Sequence, residues 1–130
     1  LGHMMIQTGM ATALGAALSA YVPAQAGVGL VFAVCAVAIL VSETTSNTAS
    51  ANMVIPVVLA VATTVQADVV DLALAATAAC TFGFMLPVST PTNALAYATG
   101  LVPQRQMIRW GVVLDLLGLV LLSLWFGLLA

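Results

Sequence analysis

Apolar residues run along this chain in long stretches, and polar residues gather in two short islands between them. The first island is Ser42-Glu43-Thr44-Thr45-Ser46-Asn47-Thr48-Ala49; the second is Ser89-Thr90-Pro91-Thr92-Asn93-Ala94. Residues 4 to 22 read as a helix of small residues, whose Gly9, Gly15 and alanines permit close packing in lipid. Pro23-Ala24-Gln25-Ala26-Gly27 reads as a turn. Residues 28 to 41 form an apolar run of fourteen residues. As a helix it reaches only ~21 Å, short of the ~30 Å hydrocarbon core of a bilayer. Beyond the first island, residues 50 to 66 resume a helix with a polar flavour from Ser50, Asn52, Thr63 and Thr64. Apolar arm, polar tip and second arm predict a re-entrant hairpin over 28–66. One long span with a polar middle is the alternative, but a run of hydroxyls and amides makes a poor lipid-facing helix.

After a turn at Gln66-Ala67-Asp68, with Asp68 placed to cap the next helix, residues 69 to 87 read as an apolar helix closed by Pro87. The second island breaks it, with Pro91 removing a backbone donor. Ala94 to Gly100 follows as a short half-helix, so 69–100 is expected to be one broken helix. Residues 105 to 129 make a long uninterrupted span with Trp110 and Trp125 as interfacial anchors. The expected architecture is therefore an all-α membrane protein, with 1–130 forming a single membrane domain.

Composition sharpens this reading. The chain is 63% hydrophobic and 5% charged, against roughly 25% charged in a soluble domain, so it belongs in the lipid bilayer. A net charge of -2 provides no basic patch for nucleic acid. Cys35 and Cys80 lie in apolar runs and read as small hydrophobes. No Ser/His/Asp or Cys/His constellation is present to make an enzyme. Arg105 and Arg109 open the last span, which places that end in the cytoplasm and the C-terminus outside the cell membrane. Leu1-Gly2-His3-Met4-Met5 has no initiator at position 1, so the chain is expected to begin partway through a larger protein. A vector scar at Gly2-His3-Met4 is the rival explanation.

The islands carry the chemistry. Unpartnered polar groups in lipid cost several kcal/mol each, and broken helices persist there where they line a cavity. A half-helix N-terminus offers N–H groups and partial positive charge to an anion. Unwound carbonyls and hydroxyls offer oxygen to a hard cation such as sodium. Ser46, Asn47 and Thr48 open the second arm and suit the anion; Ser42 ends the first arm and suits the cation. Read without further context, the same residues also suit a polar packing seam that caps helix ends. Glu43 is expected to brace the hairpin tip. Asp115 is expected near the interface, in a structural pairing or a water contact.

Ser46-Asn47-Thr48, preceded by Glu43 and followed by Pro56, resembles the Ser-Asn-Thr signature of the divalent anion/sodium symporter family. Met85-Leu86-Pro87-Val88-Ser89-Thr90-Pro91-Thr92-Asn93-Ala94 resembles that family's second C-terminal motif, and Gln106-Met107-Ile108-Arg109 also resembles it. The resemblance covers nearly the whole chain. It implies a secondary transporter of dicarboxylates or related divalent anions coupled to sodium, built from two inverted repeats and working as a homodimer by alternating access. This chain looks like the C-terminal repeat, one half of the site, without the N-terminal repeat. The resemblance implies a sodium site on Ser42, Ser46, Asn47 and the backbone at Ser89. It implies substrate-binding contacts on Ser46, Asn47, Thr48, Thr90 and Pro91. Ser42 stands where some relatives carry threonine, and Thr92 where a second proline is common. An exchanger of dicarboxylates or oxyanions on the same scaffold, and a structural membrane subunit, are the rival readings.

Overall fold

The structure is a computed structural model that describes residues 4, 7–19 and 27–128. Its described residues form six helices: α1 (Met10–Ser19), α2 (Val28–Thr44), α3 (Asn47–Val65), α4 (Val69–Ala79), α5 (Pro91–Ala98) and α6 (Gln104–Leu128). The turn expected at Pro23 and the outer parts of the 4–22 helix lie outside the described residues, as does residue 129.

α2 is apolar on every side, and a helix of that kind belongs inside a bundle. It packs against α3, α4 and α6, while α1 lies on α3 and α4 on α6. Leu30, Cys35, Ala38 and Ile39 of α2 meet Val58 and Ala62 of α3, Leu72 and Ala76 of α4, and Leu119 of α6 in one core. Many of these residues are alanine or cysteine, which lets the backbones approach closely without lipid between them.

α3 and α6 are long and apolar enough to cross a membrane. α2, at seventeen residues, reaches about 26 Å. The outer face of α6 displays Leu114, Leu117, Leu121 and Leu124, with Trp110 and Trp125 exposed towards its two ends. That face is suited to hydrocarbon, and the two indoles to its boundaries.

Three boundaries differ from the expected ones: α5, expected from Ala94 to Gly100, runs Pro91–Ala98 with Pro91 as its first residue, and two others differ more. The first helical arm continues through Ser42 and Glu43 to Thr44, and the second starts at Asn47, so only Thr45 and Ser46 break the hairpin. Ser46 caps α3 by accepting from the Ala49 N–H at 3.3 Å. Conversely, the helix expected to run to Pro87 ends at Ala79, and 80–90 is irregular. The reason is competition for backbone groups. The Cys80 and Thr81 carbonyls accept from the side chains of Ser42 and Asn47. The Met85 and Leu86 N–H groups donate to Glu43. The first island therefore supplies the partners that let the chain leave the helix at 80–86, ahead of the second island, inside an apolar bundle.

Candidate functional site

The site is built where the hairpin tip meets the 80–90 loop. Ser42 is fully buried, and its hydroxyl donates to the Cys80 carbonyl at 2.7 Å. Asn47 directs its Nδ2 to the Thr81 carbonyl at 3.1 Å. That contact fixes the amide, because only its nitrogen can donate. Asn47 Oδ1 then faces Ser42 Oγ at 3.0 Å. Ser42 has one proton, and it already serves the closer Cys80 oxygen. Ser42 Oγ, Asn47 Oδ1 and the Cys80 carbonyl thus form an oxygen cluster with fewer protons than acceptors, which suits a hard cation.

Gly83 lies at the centre of this cluster. A Cβ there would stand 3.0 Å from Ser89 Cβ, 3.4 Å from Asn47 Oδ1 and 3.4 Å from Ser42 Oγ. Three of the four residues predicted for sodium therefore converge on one glycine. Ser89 is 1% exposed. Its hydroxyl has the Glu43 carbonyl, Glu43 Oε2 and the Leu86 carbonyl as acceptors, each at 3.0 Å.

Glu43 stitches the two islands together. Oε1 accepts from the Met85 N–H at 2.9 Å, and Oε2 accepts from the Leu86 N–H at 3.0 Å. With Ser89 added, the carboxylate fixes the loop that carries Ser89. Asn93 does the same from the far side, donating to the Gly83 and Leu86 carbonyls at 2.8 and 3.1 Å.

The residues predicted to meet the anion are distributed differently. Ser46 and Thr48 are exposed at the start of α3, and Pro91 is exposed at the start of α5. Thr90 caps α5 by accepting from the Asn93 N–H at 3.2 Å. Every α5 residue except Asn93 is exposed. The predicted cation ligands Ser42, Asn47 and Ser89 are thus turned inward, and most of the predicted anion contacts lie at exposed helix starts. Ser46 and Asn47 were predicted for both roles; the Ser46 hydroxyl is engaged as the α3 cap, and half-buried Asn47 has its amide on Ser42 and Thr81.

Sequence reasoning passed over Gly83, Asn93 as a loop brace, and the Cys80 and Thr81 carbonyls. The available signal was a lone glycine inside an apolar run, which marks a close backbone approach. Asp115 is 5% exposed, on the face of α6 that is buried in the bundle.

The chain matches one family model along its full described length and several known proteins over most of it. The family model for the sodium:sulfate symporter transmembrane region matches residues 1–129. The Na(+)/dicarboxylate cotransporter 3 of Homo sapiens is 40% identical over 83 residues, 64% of this chain and 14% of that protein. The sodium-dependent dicarboxylate transporter SdcS of Staphylococcus saprophyticus is 34% identical over 86 residues, 66% of this chain and 17% of that protein. An uncharacterised transporter of Methanocaldococcus jannaschii is 29% identical over 125 residues, 96% of this chain and 28% of that protein. The chain spans less than a third of the length of these relatives. With helices fit to span a bilayer and a family match from end to end, this is a membrane protein of the divalent anion/sodium symporter family.

Proposed function

We propose that this chain forms one half of the transport site of a sodium-coupled carrier of dicarboxylates or related divalent anions. The observation that carries the reading is the convergence of Ser42, Asn47 and Ser89 on Gly83, where the Ser42 Oγ, Asn47 Oδ1 and Cys80 carbonyl oxygens share one hydroxyl proton. Sodium is held there by Ser42, Ser46, Asn47 and the backbone at Ser89. One substrate carboxylate meets Ser46, Asn47 and Thr48 at the start of α3, and Thr90 and Pro91 at the start of α5. Bound sodium relieves the oxygen–oxygen contact between Ser42 and Asn47. It thereby orders the two helix starts and lowers the repulsion a dianion meets. Transport proceeds by alternating access, without covalent chemistry.

In this reading the α2–α3 hairpin is re-entrant, and α4 with α5 is one discontinuous transmembrane helix. The Arg105 end of α6 is cytoplasmic and its C-terminus extracytoplasmic. An N-terminal repeat completes the pocket, and exposed α5 is part of what it covers. The working unit is a homodimer in the cell membrane.

The test is uptake of labelled succinate, with sulfate in parallel, into proteoliposomes carrying the full-length polypeptide that contains this chain. An inward sodium gradient should drive accumulation, and Asn47→Ala should abolish it. Counterflow that ignores sodium would contradict the coupling and leave an exchanger. Unchanged uptake by Asn47→Ala would contradict the site.

A further inference from the structure

The final span is notched where the 80–86 segment crosses it. At Gly111 a Cβ would lie 2.6 Å from the Met85 Cα and N and from the Phe84 carbonyl carbon. At Gly118 a Cβ would run into the Phe82 ring at Cε1, Cζ and Cδ1. Both glycines are buried. They stand two turns apart on one face of α6, about 10.5 Å along its axis. The chain from Phe82 to Met85 passes from one notch to the other.

Phe82 fills its notch edge-on, since the three ring atoms nearest Gly118 run along one edge from Cδ1 to Cζ. Phe84 holds the same ring, with centroids 5.6 Å apart and planes at 79°, the edge-to-face arrangement such rings prefer. The Phe82 ring also packs against the buried core. A half-turn about Cβ–Cγ brings an equivalent edge to the same place. A methyl on Gly118 therefore displaces the ring from Phe84, the backbone that carries it, or α6 itself.

That backbone belongs to the oxygen cluster. On one side of Phe82, the Thr81 carbonyl accepts from Asn47 Nδ2 at 3.1 Å, the bond that turns Asn47 Oδ1 towards Ser42. On the other side is Gly83, on which Ser42, Asn47 and Ser89 converge. Planar peptides hold neighbouring Cα atoms ~3.8 Å apart, so a shift of Phe82 carries both neighbours with it.

We propose that Phe82 is a positioning residue for the sodium cluster: its ring, seated in the Gly118 notch of α6, sets where the Thr81 carbonyl and Gly83 stand relative to Ser42 and Asn47. None of the predicted ligands lies on α6; the span acts on them through this ring. The effect on sodium rests on the proposed function above; the fit of ring and notch does not.

Size exchange in the full-length polypeptide in proteoliposomes tests it. Gly118→Ala should raise the half-saturating sodium concentration about tenfold, the order that overpacking produces, and lower maximal uptake far less. Phe82→Leu leaves the notch underfilled and should raise it about threefold. The double variant gives the methyl the space the ring vacates and should return close to the parent, a coupling that independent sites do not show. Gly127→Ala is the control. Its Cβ would stand 2.6 Å from the Val28 Cα, so it strains α6 away from the cluster. It should lower the unfolding temperature and leave the sodium dependence at the parent's. Hydrogen exchange over 80–86 in potassium reads the packing without transport: faster in Gly118→Ala, restored in the double variant. Equal sodium dependence in Phe82→Leu and the parent would overturn the positioning role, and this comparison decides even where Gly118→Ala does not fold. A double variant no better than Gly118→Ala, or a Gly127→Ala protein needing as much extra sodium, would overturn it too. Restored exchange in a protein whose uptake ignores sodium would overturn the sodium role together with the proposed function and leave only the fit of ring and notch.

Discussion

The smallest unit of this account is the amide of Asn47. Its Nδ2 is spent on the Thr81 carbonyl, so its Oδ1 has to face the Ser42 hydroxyl. Ser42→Ala removes one oxygen from the cluster and should weaken sodium activation about tenfold, as loss of a polar contact to a charged group does. The measurement is the sodium dependence of uptake at fixed substrate. Gly83→Ala places a methyl 3.0 Å from Ser89 Cβ, closer than packed atoms normally stand. Either Ser89 or the hairpin tip has to shift, and sodium activation should fall by at least as much as in Ser42→Ala. Glu43→Gln presents an amide NH2 where the loop N–H groups already donate. It should lower thermal stability by about 1–3 kcal/mol while uptake at saturating sodium persists, as read by unfolding in detergent beside uptake. A dead but equally stable variant would contradict the bracing role. The polar identity of these residues was visible in the chain, because hydroxyls and amides stand out in an apolar sequence. Gly83 was not, because its importance lies in what approaches it from 42, 47 and 89.

Among the elements, α6 depends most on close approach. A Cβ at Gly111 would run into backbone atoms of Phe84 and Met85, and one at Gly127 would stand 2.6 Å from the Val28 Cα. Backbone cannot rotate aside as the end of a side chain can. Gly111→Ala should therefore push α6 off the loop and cost about 1–3 kcal/mol, seen as a lower unfolding temperature. Gly100, by contrast, has open space around it but φ of +73°, and it ends the turn after α5. An added side chain there is strained by its backbone rather than by a neighbour. Hydropathy located every helix of the described core. It misplaced the end of α4 by several residues, because apolar Phe82, Phe84, Met85 and Leu86 continue the pattern past Ala79. What stops the helix is the demand of Ser42, Asn47 and Glu43 for backbone groups at 80–86, a tertiary effect that no local window contains. The hairpin tip was drawn too wide for the converse reason. Ser42 and Glu43 looked like helix breakers, yet their side chains are satisfied by the loop, and α2 continues through them.

At the scale of the whole molecule, the bundle is organised around what the hairpin tip and the loop give each other. Composition alone marked it as a membrane protein, since a chain with 5% charged residues cannot cover a water-facing surface. The family was legible from the two islands together, because their residues and separation are specific. What was not legible is the inward placement of the predicted cation ligands and the outward placement of the anion contacts. That division depends on packing between segments some forty residues apart. It predicts that a thiol-reactive probe from the aqueous phase labels Thr48→Cys in the full-length polypeptide, and that bound dicarboxylate protects it. Ser42→Cys should resist the same probe.

The most direct test of the central claim is hydrogen exchange across residues 42–48 and 80–90, in sodium and in potassium, without substrate. If sodium sits between the hairpin tip and the loop at Gly83, exchange in both segments slows in sodium, and Ser42→Ala removes the difference. Identical exchange in the two salts, in a protein whose uptake is driven by sodium, would place the coupling ion elsewhere and contradict the account.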